Sequence, residues 1–279
     1  MLNMIKLTDL SYKDTFNTGF EIYRANFKAM AILTVMVQIP LIILERIAVA
    51  SLIDFLAILG FDNIGNGYIR SNTALEAFIA ADIPNISGAY LPALNHVFFI
   101  VMGVIIVSMA VLSPLILSGG TYITKNTAHG NKSEPPDILS SVVSNIGKTT
   151  ITALIALVCI GIGFFFFVIP GIFMLIGFYF AVPAVIVTGK WGIGAISESL
   201  KIVQGRWLKT TFFIILTMLF RFLVMYLSTI FIDIVYAILP YNIISDSVFI
   251  ILRSILLSYF VVVECLWFVN KHFVKQPQH

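Results

Sequence analysis

TTITALIALVCIGIGFFFFVIPGIFMLIGFYFAVPAVIVTG, residues 149–189, carries no Asp, Glu, Lys, Arg or His and is bracketed by Lys148 and Lys190. As one helix it would run roughly 60 Å, about twice the ~30 Å thickness of a bilayer's hydrocarbon core. A single crossing does not accommodate it. The break is expected at Ile169-Pro170-Gly171, where Pro removes a backbone donor and Gly permits a tight reversal. The stretch therefore reads as a transmembrane hairpin, with spans at about 149–168 and 171–188 and almost no loop between them.

The rest of the chain has the same character. Of 279 residues, 59% are hydrophobic and 11% charged, with a mean hydropathy of +1.00. Such a chain has too few charges to cover a soluble surface and reads as a polytopic membrane protein. Further apolar runs place spans at about 29–50, 93–117, 210–237 and 247–270. Together they give an all-α bundle of six transmembrane helices in three hairpins, forming one integral membrane domain over residues 1–279. Ser118-Gly119-Gly120 is expected to end the second span. Residues 60–92 form the one sizeable loop, with a short helix expected near Thr73 to Ala80.

The net charge of +3 does not point to nucleic acid, because most of the Lys and Arg residues mark topology. Lys6, Lys13, Arg24 and Lys28 precede the first span. Lys125, Lys132 and Lys148 lie in the connector 119–148, Lys190, Lys201, Arg206 and Lys209 in 190–209, and Lys271 and Lys275 in the tail. Six spans with both termini in the cytoplasm put all four patches on one side, leaving Arg70, and Arg46 near it, on the other. Trp191, Trp207 and Trp267 fall at the same ends of spans, where an indole can be half wet. Residues 1–28 lack an apolar core and a small-residue cleavage site, so no cleaved signal is expected.

Two connectors read as amphipathic helices lying at the membrane surface on the cytoplasmic side. In the first, Tyr12, Phe16, Phe20, Tyr23 and Phe27 form an aromatic stripe at helical spacing, with Ser11 and Asp14 placed to start the helix. In the second, Ile193, Ile196, Leu200 and Val203 form the stripe. Pro135-Pro136 is read as a stop ahead of a short helix at Asp137 to Ile146. Each hairpin would then follow a surface segment ending in Lys28, Lys148 or Lys209. Aligning the first and third units sets Phe20 on Leu200, Ile22 on Ile202 and Phe27 on Trp207. That is the pattern either of a parallel threefold repeat or of the basic entry that any hairpin protein needs before each odd span.

Chemistry-bearing residues are sparse. Cys159 and Cys265 lie in apolar runs, and together with His96 they read as packed core residues, with no spacing that would assemble a nucleophile, a base and an orienting acid. No catalytic residue, cofactor or metal site is expected, and no nucleic-acid partner. The candidate site is a set of charges within the spans: Arg221, Asp233, Arg253 and Glu264 in the last two, with Glu45 from the first. Asp233 and Arg253 are expected to pair, and Glu264 or Glu45 to serve Arg221.

Three motifs carry a resemblance: Ile169-Pro170-Gly171-Ile172, then Phe180-Ala181-Val182-Pro183-Ala184-Val185, then Gly189-Lys190-Trp191-Gly192 with Ala195 to Ser199. In these, and in its span order and basic ends, the chain resembles the YciC-type bacterial inner-membrane proteins, relatives of the membrane domain found beside some glycerophosphoryl diester phosphodiesterases. The resemblance implies a multi-pass inner-membrane protein and says nothing of molecular function. No phosphodiesterase activity carries over, since the sequence has no soluble barrel and no His and carboxylate cluster. Two functions are open at this stage. One is a membrane organiser or accessory protein binding lipid or envelope partners. The other is a transporter or lipid-handling protein with an anion or headgroup site at the buried charges, with which Pro40, Pro114 and Pro183 are compatible.

Overall fold

The computed structural model describes residues 9–58, 91–238 and 242–275. Among these, every regular element is helical: α1 Tyr12–Ala25, α2 Phe27–Ile58, α3 Leu91–Val107, a π turn Ser108–Leu112, α4 Ser113–Ala128, α5 Pro135–Phe166, α6 Val168–Phe178, α7 Ala181–Thr188, α8 Ile193–Val203, α9 Trp207–Ile238 and α10 Ile243–Lys275. Among the described residues six stretches are long and apolar enough to cross a membrane: Phe27–Leu56, Pro92–Ala128, Pro135–Phe166, Val168–Thr188, Trp207–Ile238 and Ile243–Val274. The chain is thus an all-α polytopic protein. The loop 60–92, with its expected short helix, and the turn at Pro240 and Tyr241 lie outside the described residues, apart from Leu91 and Pro92 at the start of α3.

Packing divides the chain into two compact units, one of residues 1–38 with 109–279 and one of residues 39–108. Both borders fall beside backbone irregularities. Pro40 lies inside the continuous α2, and the π turn precedes Pro114; at each the missing N–H frees a carbonyl one turn back. The 39–108 unit presents large side chains outward, among them Ile43, Ile47, Phe98, Phe99 and Met102, as lipid-facing helices do.

The central hairpin turns slightly earlier than Ile169. Phe167 is extended, with φ −156° and ψ 146°, and Pro170 sits in the first turn of α6, where its N–H is not needed. A Cβ on Gly163 would come within 3.0 Å of the Gly171 Cα, so these two glycines let the backbones of the hairpin approach. Pro135-Pro136 starts a helix rather than stopping one. The two prolines occupy the first positions of α5, which runs unbroken to Phe166, so the short helix expected at 137–146 and the third span are one element. Gly119-Gly120 likewise lie inside α4 and not at a helix end. A Cβ on Gly119 would collide with Leu33 at 2.2 Å, and one on Gly120 would meet Val261 at 3.0 Å. These glycines are contact surface for two neighbouring helices.

α1 and α8 are amphipathic as expected, and α1 begins as expected: the Asp14 N–H donates to Ser11 Oγ at 3.2 Å. Each also buries a face against protein that the sequence analysis did not single out, sharing Tyr23 of α1 and Ile196 and Val203 of α8 with the apolar stripes. α1 buries Thr15, Gly19, Ile22 and Tyr23 and lies along the last turns of α10, with Gly19 against Val263, while Phe20 remains 55% exposed. α8 buries Ala195, Ile196, Ser199, Ile202 and Val203 and leaves Ile193 76% exposed. Against lipid, a large apolar side chain gains little by facing protein, whereas a small one allows close helix approach.

Burial repeats three times in the larger unit. Gly19, Tyr23, Met30, Leu33 and Val37 are buried, as are Ile138, Val142, Thr149, Thr152 and Ala156, and Ser199, Val203, Thr210, Phe213 and Thr217. Each set has steps of four, seven, three and four residues. In each set the leading helix packs on a returning helix: α1 on α10, the start of α5 on α4, and α8 on α6 and α7.

Candidate functional site

Arg221 on α9 donates from Nη2 to Glu264 Oε2 on α10 at 3.1 Å. The Glu264 side chain is 3% exposed and that of Arg221 33%. Of the two partners open to Arg221, Glu264 is the one it takes. Glu45 is exposed on α2, in the 39–108 unit. The Tyr179 and Thr217 hydroxyls stand toward the Glu264 carboxyl, and Thr217 follows from the sequence, being one turn before Arg221 on the same face of α9. Glu264 Oε1 and Arg221 Nε have no further partner among the described residues.

Asp233 and Arg253, both half-buried, are not joined by an ion pair among the described residues. Twelve residues turn a helix by about 1200°, so Asp233 lands roughly 120° around α9 from the side that Arg221 presents to α10. Sequence depth was matched, and azimuth was not.

Tyr179 is placed by a break that the sequence analysis missed. Pro183 cannot donate to the Tyr179 carbonyl, so the fourth span interrupts at Tyr179-Phe180, one turn earlier, between α6 and α7. Ser199 on α8 spans the gap. Its Oγ accepts from the Phe180 N–H at 3.2 Å and donates to the Gly177 carbonyl at 2.7 Å. The far end of α7 is closed by Gly189 in the left-handed region, φ 74°, and by Lys125, whose Nζ donates to the Ile186 and Val187 carbonyls at 3.1 and 3.3 Å.

Beneath α1 lies a cleft of about 780 Å³, lined by Phe16, Asn17, Phe20, Glu21 and Tyr23 of α1, Val224 of α9, and Leu256, Tyr259 and Phe260 of α10. A neighbouring cleft of about 530 Å³ shares Phe16, Asn17, Tyr259 and Phe260 and adds Lys13, Leu216 and Phe220. Hydrogen bonds from several residues hold this roof in place. Tyr12 donates to the Lys209 carbonyl at 3.2 Å, Tyr259 to the Phe16 carbonyl at 3.0 Å, and the Leu10 N–H to Asn270 at 3.2 Å. Asp9 adds ion pairs with Lys271 and with Arg206 at 3.3 Å. The Lys271 ammonium, and secondarily Arg206, hold the Asp9 carboxyl below the usual carboxylate range. Lys190 at 2.7 Å and Lys201 at 3.1 Å do the same for Glu198 on α8.

Trp267 is not half wet. It is buried, stacked on Phe213 with centroids 4.3 Å apart and on Tyr12 at 5.4 Å, because α1 covers it. Trp191 is exposed and Trp207 stacks on Phe173 at 4.5 Å. Cys265 is buried, accepting from Thr121 Oγ1 at 3.2 Å, and Cys159 is half-buried; neither is in a disulfide. His96 is exposed, not packed. Among the described residues no group of three His, Cys, Asp or Glu side chains is arranged to hold a metal.

No protein-family model, curated protein or solved structure matches the chain.

Proposed function

We propose that this protein is a non-catalytic membrane organiser or accessory protein that binds membrane lipid or envelope partners through its helix surfaces. The observation that carries the reading is the Arg221–Glu264 pair. A buried arginine kept for an anionic solute needs an unmet charge, and here a carboxylate lies 3.1 Å from it. Ion pairing within the bundle makes this charge a link between α9 and α10. The alternative, a transporter or lipid-handling protein with an anion or headgroup site at the buried charges, draws on the broken fourth span beside the same pair. It would require that pair to open. The four basic patches favour both termini on the cytoplasmic side, and placement in a bacterial inner membrane rests on the family resemblance. Membership of the YciC-type family belongs to the same proposal and rests on the motifs at 169–172, 180–185 and 189–199.

Substituted-cysteine labelling tests it. Single cysteines at Val224, Met225 and Ser228 on α9, in sealed vesicles of either orientation, are expected to resist a membrane-impermeant maleimide from both sides. Labelling of the same position from both sides, in alternation with conditions, would establish a water path and replace the organiser with a transporter.

A further inference from the structure

We propose that the two adjoining clefts beneath α1, which share Phe16, Asn17, Tyr259 and Phe260, form one phospholipid site, with one acyl chain along Phe16, Phe20, Tyr259 and Phe260 and the phosphate at Lys13. This rests on the lipid-binding reading above and names where and what it binds.

The cleft is a gap in a repeated design. In the third unit, Leu200 fills the space over Gly177. α1 follows the same burial pattern, yet Phe16 and Phe20, which correspond to Ile196 and Leu200, border open volume. Close packing elsewhere in the unit makes an unfilled aromatic seat a place for a ligand.

Its walls identify the occupant. Leu216, Phe220, Val224 and Leu256 belong to spans, and the α9 surface beside them continues as exposed Leu219, Phe222 and Leu223. What covers that surface in a bilayer is acyl chain, and the cleft is continuous with it. The roof is polar along one edge: Lys13, Asn17 and Glu21 recur every fourth residue of α1 and so share a face. Lys13 has no carboxylate within 4.0 Å among the described residues. It stands beside Tyr12, which is bonded to Lys209 in the first turn of α9, where that span meets water. Glu21 is two turns away, ~12 Å along the helix, and does not oppose an anion at Lys13. An aromatic slot with a cation at its watery end fits a phosphate-bearing lipid.

The full-length protein would be reconstituted in phosphatidylcholine vesicles containing trace phosphatidylglycerol with a photoactivatable group on one acyl chain, or diacylglycerol with the same chain. Label is expected on peptides containing residues 12–23 and 256–260, more from phosphatidylglycerol than from diacylglycerol. Asn17→Trp, a substitution at an exposed position, fills the cleft and should cut this labelling roughly tenfold while leaving the melting temperature near wild type. Lys13→Glu should bring phosphatidylglycerol labelling down to the diacylglycerol level and leave diacylglycerol labelling unchanged. Label spread evenly over all spans, or unaltered by Asn17→Trp, overturns the site, and phosphatidylglycerol labelling unaltered by Lys13→Glu overturns the phosphate assignment. Phospholipid bound elsewhere on the protein sinks the cleft alone. A protein that retains no phospholipid at all sinks the cleft together with the lipid-binding reading.

Discussion

Removing Arg221 should cost more than removing Glu264, and removing both should cost least. In Arg221→Leu, Glu264 keeps a carboxylate that is 3% exposed and has lost its cationic partner. Breaking a buried pair in this way costs about 3–5 kcal/mol. In Glu264→Leu the orphan is Arg221, 33% exposed, whose long stem lets the guanidinium reach water or headgroups, which lowers the cost to about 2 kcal/mol. Arg221→Leu/Glu264→Leu replaces the pair with apolar groups of similar bulk and should fall within about 1 kcal/mol of wild type. The assay is a double-mutant cycle on reversible unfolding in bicelles, and the predicted coupling energy is several kcal/mol. A double variant as unstable as the two single losses combined would refute the reasoning, since the charges would then be held by something other than each other.

Further outcomes follow from the packing and the ion pairs. Gly163→Ala drives a Cβ to 3.0 Å from the Gly171 backbone, whereas the same change at Gly161 meets nothing within 4 Å. The first should lose about 1–3 kcal/mol in the same unfolding assay and the second nothing, and equal effects would refute the hairpin contact. Ser199→Ala leaves the Phe180 N–H and the Gly177 carbonyl without the hydroxyl that joins them, a loss of about 1–3 kcal/mol, with faster amide exchange at Phe180 as the local signature. Asp9 and Glu198 both have lowered pKa values, so their contribution is present above the ordinary carboxylate pKa and lost as pH falls through the lowered one. Asp9→Asn should therefore melt lower than wild type at pH 7 and equally with it at pH 2. Because Asp9 is half exposed, the difference is about 0.5–1 kcal/mol. Equal melting of the two proteins at pH 7 contradicts the assignment.

The spans were legible because a long apolar run between lysines has few other physical solutions. The hairpin at Pro170 and the cap at Ser11 could be read from backbone chemistry alone. What the sequence hid is which face of a helix meets protein. The apolar stripes read from the sequence include Phe20 and Ile193, which face outward as on a helix lying at the membrane surface. The faces that pack carry Thr15 and Gly19, or Ala195 and Ser199, a small-residue spacing visible in the sequence once lipid is taken as the solvent. Gly119-Gly120 misled for a related reason, since two glycines mark a helix end in water and a close crossing in a membrane. Of the candidate charges, Arg221 and Glu264 meet because depth and azimuth both agree. Asp233 and Arg253 agree in depth only. The break at Tyr179 was implied by Pro183, but the serine that spans it comes from another helix, and no local signal pairs them.

Native mass spectrometry of the protein released from mild detergent addresses the central claim most directly, comparing wild type, Arg221→Leu/Glu264→Leu and Asn17→Trp. The account predicts the same bound phospholipid on wild type and on the charge-free double variant, and its loss from Asn17→Trp. Loss from the double variant with retention by Asn17→Trp would contradict it and place the ligand at the buried charges.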